Sequence, residues 1–185
     1  MAKSTPLTQQ YVVSAALSVE SFAEIAERGF KSVVNFRPDG ETSSQISSDD
    51  ARDAASAAGL AFAHIPVTKH DLFADDTVAL AESTFAKLPG PILAYCASGQ
   101  RAAVVWAAVS ARSTPVSEVL QTLKAAGLDL EFLRDDLEAQ ADRARWAQTE
   151  SQPDVAATVD QTAEQANVEA IPQKAPARRA ERAAA

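Results

Sequence analysis

The chain has 185 residues, 46% apolar and 23% charged, with a formal net charge of −8. That is enough for one soluble domain with a sizeable core. Acidity without a basic stripe on the body argues against nucleic acid as a partner, and the lack of any run of about 18 apolar residues argues against a membrane. One cysteine and two histidines forbid an internal disulfide and leave no convincing zinc set, so the expected setting is the cytoplasm, with no metal and no cofactor.

The first ten residues are polar and are expected to be loose. Tyr11-Val12-Val13 forms a short strand candidate. Ser18 is placed to N-cap a helix through Arg28, with Phe22, Ile25 and Ala26 on one face and Gly29 as its left-handed stop. Phe30 to Phe36 reads as a buried strand, ended by Arg37-Pro38-Asp39-Gly40, where Pro fixes φ and Gly accepts a positive one. Arg37 and Asp39 are candidate residues at the site edge; a turn closed by its own hydrogen bonds is the plainer account of both. Ser48-Asp49-Asp50-Ala51 opens an alanine-rich helix that ends at Gly59.

Leu60 to Val67 reads as the next strand, and His64 within it as a satisfied core histidine rather than a ligand. The polar loop Thr68 to Ala74 carries His70 and Asp71 and leads to Asp75 or Asp76 as N-cap of a helix with Val78, Ala81, Phe85 and Leu88 on one face. After Pro89-Gly90 comes Pro91-Ile92-Leu93-Ala94-Tyr95, an apolar run of strand length that ends at Cys96. The loop Ala97-Ser98-Gly99-Gln100 follows, and a helical pattern starts at Arg101. That helix, to about Ala111, is apolar nearly all round and is expected to be buried by neighbours on several sides. Thr114-Pro115 starts a helix to Gly127, and Asp129 caps a last one through about Trp146. Strands alternating with helices predict an α/β fold with a mainly parallel sheet, whose ligands bind beyond the carboxyl ends of the strands.

The chemistry expected of the stretch around Cys96 follows from its geometry. At a helix N-terminus the first N–H groups lack intrahelical partners and the macrodipole is positive, so an anion is held there and a thiolate is favoured over a thiol. Arg101 supplies a planar charged fork matched to two oxygens of one oxyanion, and Gly99 lets the loop turn its N–H groups inward. Alone, a cysteine ending a core strand reads as packing. With Gly99, Arg101 and a helix start beside it, Cys96 reads as a nucleophile at the floor of an anion-binding loop of Ala97, Ser98, Gly99 and Gln100.

Three segments in order, Gly29-Phe30 into Val33-Val34-Asn35-Phe36-Arg37-Pro38-Asp39-Gly40-Glu41, Ala63-His64-Ile65-Pro66-Val67, and Tyr95-Cys96-Ala97-Ser98-Gly99-Gln100-Arg101, resemble the phosphatase-like domain of bacterial beta-lactamase-hydrolase-like proteins. The resemblance covers about Leu7 to Arg112. It implies a compact α/β fold of the dual-specificity-phosphatase type, with Cys96 as nucleophile and Arg101 as oxyanion binder. That family is described both as phosphatase-like and as sulfur transferase. Four residues separate Cys96 from Arg101, the rhodanese spacing, where phosphatases have five; Ala97 and Ala102 stand where the family often has Arg and a hydroxyl residue. In dual-specificity phosphatases a general-acid Asp closely follows the Ile-Pro strand; here Thr68 and Lys69 intervene before His70 and Asp71, so the resemblance assigns no proton donor and Asp71 is the best candidate.

Three activities are consistent with these residues. The first is a Cys-dependent phosphatase-like hydrolase acting on a small oxyanion or phosphorylated substrate. The second is a sulfur transferase forming a Cys96 persulfide and passing the sulfur to a thiol acceptor. The third is a non-catalytic oxyanion-binding module. The domain is expected over residues 1–146, with a motif core at 7–112 and a helical extension at 113–146. From 147 to 185 the Ala-, Gln- and Pro-rich composition predicts a disordered tail. Its basic end, Lys174, Arg178, Arg179 and Arg182, is suited to a weak contact with an acidic partner.

Overall fold

The computed structural model describes residues 3–150. The expected tail from 151 onward, with its basic end, lies outside the described residues. In chain order the elements are β1 (Ser4–Pro6), β2 (Tyr11–Ser14), α1 (Ser21–Glu27), β3 (Ser32–Asn35), α2 (Ser48–Ala57), β4 (Ala61–His64), α3 (Asp75–Lys87), β5 (Ile92–Tyr95), α4 (Gln100–Ser110), α5 (Val116–Ala125), a 3₁₀ turn (Glu131–Leu133) and α6 (Arg134–Glu150). The strands form one sheet in the order β1-β2-β5-β3-β4, antiparallel only between β1 and β2. The mainly parallel α/β architecture expected from the alternation of elements is therefore present.

β5 is the central strand, and all four of its residues are buried. Successive side chains of a strand point to opposite faces, and the two cores follow that period. Ile92, Ala94 and then Cys96 join one core, with Val13, Val34 and the apolar faces of α3 to α6; Leu93 and Tyr95 join the other, with Val33, Phe22, Ile25, Ala51 and Ala55. Helix α4 buries Ala102, Ala103, Val104, Val105, Ala107 and Ala108, as its apolar circumference requires. Removing a side chain the size of Val105 from water contributes roughly 1.5–3 kcal/mol.

Connectivity places the site. From β3 the chain passes to α2 on one face of the sheet, and from the adjacent parallel strand β5 it passes to α4 on the other. Adjacent strands whose connections leave in opposite directions open a crevice at their carboxyl ends. The turn after β3 and the loop after β5 meet there.

Several local expectations are corrected. Residues 3–10 are not loose: Ser4 pairs with Ser14 and Pro6 with Val12, and Leu7 is buried. Pairing of β1 is supplied by β2, so a short polar segment with no apolar period of its own acquires strand geometry. Helix α1 begins at Ser21 with Glu20 at its N-cap and no side-chain cap, because the Ser18 N–H donates to Ser21 Oγ at 3.2 Å instead. Ala74, rather than Asp75 or Asp76, is the N-cap of α3, and both acids occupy its first turn, where they oppose the positive end of the helix. The last helix runs to Glu150, four residues past Trp146.

Candidate active site

Cys96 follows β5 directly and is 1% exposed. Its N–H donates to Ser14 O at 3.4 Å, and Ala16 N–H donates to Ala97 O at 3.3 Å, so the loop's first residues are tied to the end of β2. Gly99 has φ of +93° and serves as N-cap of α4. A side chain there would meet the Ser14 backbone carbon and oxygen at 3.3 Å, so both the left-handed turn and the close approach require glycine. The Gly99 N–H donates to Cys96 Sγ at 3.1 Å. Helix α4 opens one residue later, with its unpaired N–H groups and positive dipole end beside the sulfur.

Arg101, in the first turn of α4, reaches across the crevice to the β3 side. Its Nη1 donates to Phe36 O at 3.2 Å and its Nη2 to Glu41 Oε1 at 2.5 Å. The other carboxylate oxygen of Glu41 accepts from Arg37 Nε at 2.8 Å, and Arg37 Nη2 donates to Thr42 Oγ1 at 2.9 Å. Glu41 thus bridges two guanidinium groups. Partial burial pushes its carboxyl up, but the hydrogen bonds and charges of Arg101 and Arg37 outweigh this and hold it below the usual carboxylate range. Two of five donor N–H groups fix the Arg101 plane, which leaves others for an oxyanion.

Cys96, Ala97, Ser98, Gln100 and Arg101 line one cavity of about 310 Å³. Its remaining wall is Lys69, Leu72, Val104, Leu130, Phe132 and Leu133. The structure therefore brings together the cysteine, the arginine and the anion-binding loop named from the sequence, with Gly99 acting through its backbone. Tyr11, buried on β2, keeps its proton: burial first, and then its proximity to Cys96, push its hydroxyl well above the ordinary value.

The other named residues are placed differently. Asp71 sits in a turn between two lining residues, Lys69 and Leu72; its carboxylate accepts from Thr68 Oγ1 at 2.5 Å, and it does not line the cavity. His70 is exposed, its N–H donating to Thr68 Oγ1 at 3.2 Å. Asp39 accepts from Ser48 N–H at 2.8 Å and from Ser48 Oγ at 2.6 Å, which ties the turn to the start of α2 and, chiefly through the hydroxyl, holds its carboxyl below the usual range. Arg37 is 8% exposed and acts behind Glu41 rather than in the cavity. His64 Nε2 lies 2.9 Å from Arg37 O, so its polar atom is satisfied, but the residue is half-buried rather than in the core.

Glu41 had no role in the sequence reading. Its signal was present as an acid four residues after Arg37, at the carboxyl end of a buried strand. Leu130, Phe132 and Leu133 left no comparable signal, because their place in the cavity is set by how α5 and α6 pack on the core.

Residues 5–113 match the family described as beta-lactamase hydrolase-like protein, phosphatase-like domain. The chain belongs to this family. Beta-lactamase hydrolase-like proteins of Xylella fastidiosa and Agrobacterium fabrum are 32% and 30% identical to it over 105 and 104 residues, or 57% and 56% of this chain. This chain spans 24% of the length of each of those relatives. A crystal structure of a candidate phosphatase from Neisseria meningitidis superposes with a TM-score of 0.65 at 30% identity, covering 74% of this chain and 96% of that one. Kinase associated phosphatase, at 13% identity and a TM-score of 0.60 over 78% of this chain, shares the fold. The phosphatase-like α/β fold expected from the three sequence segments is thereby established. The 5–113 match ends just after α4, so α5, the 3₁₀ turn and α6 lie beyond it.

Proposed function

We propose that this phosphatase-like domain is a hydrolase of small phosphate esters, with Cys96 as nucleophile. The observation that carries the reading is the shared cavity: a cysteine sulfur accepting a backbone hydrogen bond at 3.1 Å, at a helix N-terminus, with a guanidinium fixed by Glu41 on the same wall. The Cys96 thiolate attacks phosphorus as the bond to the ester oxygen breaks. The N–H groups of the loop and Arg101 hold the non-bridging oxygens, whose charge is spread in the transition state. Asp71, turning from Thr68 into the cavity, delivers its proton to the departing alkoxide. The same carboxylate then takes a proton from water as that water attacks phosphorus, the S–P bond breaks, and phosphate leaves with the thiolate restored.

A second reading is favoured by one observation. No carboxylate is among the residues lining the cavity, and sulfur transfer needs no acid. In that case the Cys96 thiolate attacks the outer sulfur of thiosulfate, sulfite leaves, and the persulfide passes its sulfur to a thiol. Purified protein offered para-nitrophenyl phosphate and, separately, thiosulfate with cyanide decides between them. Phosphate release that vanishes in Cys96→Ser supports hydrolysis. Thiocyanate formation without phosphate release transfers the assignment to the second reading, and neither product with retained phosphate binding reduces the site to an anion-binding module.

A further inference from the structure

The anion loop occupies the floor of the cavity, and most of the remaining wall is apolar. Leu72 comes from the loop after β4, Val104 from α4, and Leu130, Phe132 and Leu133 from the turn between α5 and α6. Leu130 and Leu133 are buried in the core, which fixes the backbone between them, while Phe132 is 77% exposed at the same wall. A phenylalanine held on a 3₁₀ turn with its ring largely in water and one edge of a charged cavity beside it has apolar surface still to bury. These three residues lie outside the segment that matches the family. Half of the recognition wall, from Leu130 to Leu133, is thus built by a part of the chain that the family match does not cover.

We infer that the 130–133 turn selects the substrate: the cavity takes a small-molecule oxyanion carrying an apolar, preferably aromatic, arm. The inference rests on the proposed function of the site and names its substrate class. Size agrees, since a cavity of about 310 Å³ lies at the small end of the roughly 300–1,000 Å³ found for small-molecule sites. Charge agrees as well. The anion meets Arg101 and the helix end at the floor, and Lys69 is the one further charged residue on the wall. The arm then lies against Leu72, Val104 and Phe132, where an aromatic ring gains from both burial and ring contact.

The test measures binding to the full chain of three unreactive probes, inorganic phosphate, methylphosphonate and phenylphosphonate, by calorimetry and by protection of Cys96 from iodoacetamide. Phenylphosphonate is expected to bind about tenfold more tightly than methylphosphonate, the gain typical of burying one ring in a preformed apolar site. Phe132→Ala is expected to cut that preference to about twofold or threefold and leave inorganic phosphate unchanged, and Phe132→Leu to restore part of it. Unchanged phosphate binding also reports that the variant is folded. Equal binding of the two phosphonates, or a preference that survives Phe132→Ala, overturns the inference while leaving the anion site intact. So does a change of oligomeric state in Phe132→Ala, which would make the exposed ring a contact between copies, and so does a phosphotyrosyl peptide binding tenfold more tightly than phenylphosphonate. If none of the three anions binds, the proposed function fails and this inference falls with it.

Discussion

Two loops at the same sheet edge are built on opposite plans. The one after β5 is made of backbone: its first residues are tied to β2, its glycine is irreplaceable at φ of +93°, and its arginine is braced against Phe36 and Glu41. The one after β4 is closed mainly on itself, Thr68 Oγ1 with Asp71 and with the N–H of His70, and the N–H groups of Asp71 and Ala74 with the carbonyls of Thr68 and Asp71; it is tied to the rest by Leu72 and Phe73 against the core and by Gln140 Nε2 donating to Phe73 O at 2.8 Å. An anion is best met by donors that need no rearrangement, whereas a group that handles a proton must reach a leaving group that arrives with the substrate. The proposed function assigns the first demand to the loop after β5, the fixed half, and the second to the loop after β4, the movable half, where Asp71 has to turn from Thr68 to reach the cavity.

The contrast can be broken from either side. Arg101→Lys replaces the braced fork with a point charge on a flexible stem and is expected to lower kcat/KM for para-nitrophenyl phosphate by about 10³-fold with little loss of thermal stability. An effect below about tenfold would mean that the fixed half does not hold the anion. Asp71→Asn addresses the movable half. It is expected to cost about 10²-fold with an alkyl phosphate, whose leaving group needs a proton, and only a few-fold with para-nitrophenyl phosphate, whose leaving group does not. Equal losses with both substrates would remove Asp71 as proton donor.

Glu41→Gln has the smallest expected effect. It removes the charge and, because the amide NH₂ cannot accept, keeps only one of the two guanidinium hydrogen bonds, so Arg101 is held less firmly and KM rises by about threefold to fivefold, the worth of a partly exposed ion pair. The pH dependence has a definite sign. Because the Glu41 carboxyl is held below the ordinary value, its bracing is complete above about 4.3 and is lost as pH falls through the folded value. Wild type and Glu41→Gln are therefore expected to converge in KM at acid pH. Curves that stay parallel would show that Glu41 braces nothing.

How much of this was legible in the sequence also divides along local and distant lines. The Cys96 loop could be read because an apolar strand, one glycine and a helix start are adjacent in the chain, and each restricts the next. The parallel sheet followed from alternation of elements. β1 was not legible, because its strand geometry comes from pairing with β2 rather than from Ser4-Thr5-Pro6 itself. Glu41 stood in plain sight but took its meaning from Arg101, sixty residues away. The cavity wall at Leu130, Phe132 and Leu133 depends on the docking of α5 and α6, which no local pattern records. Asp71 was chosen as the nearest acid after the Ile-Pro strand, and its turn with Thr68 could not be read from that spacing.

The most direct test of the central claim is to look for the covalent intermediate. Full-length protein is mixed with para-nitrophenyl phosphate, quenched in acid within milliseconds, digested and read by mass spectrometry. A single phosphoryl group on the peptide containing Cys96, formed before free phosphate accumulates and absent from Cys96→Ser, is the predicted result. Turnover with that peptide unmodified, or with the phosphoryl group on another residue, would contradict the account.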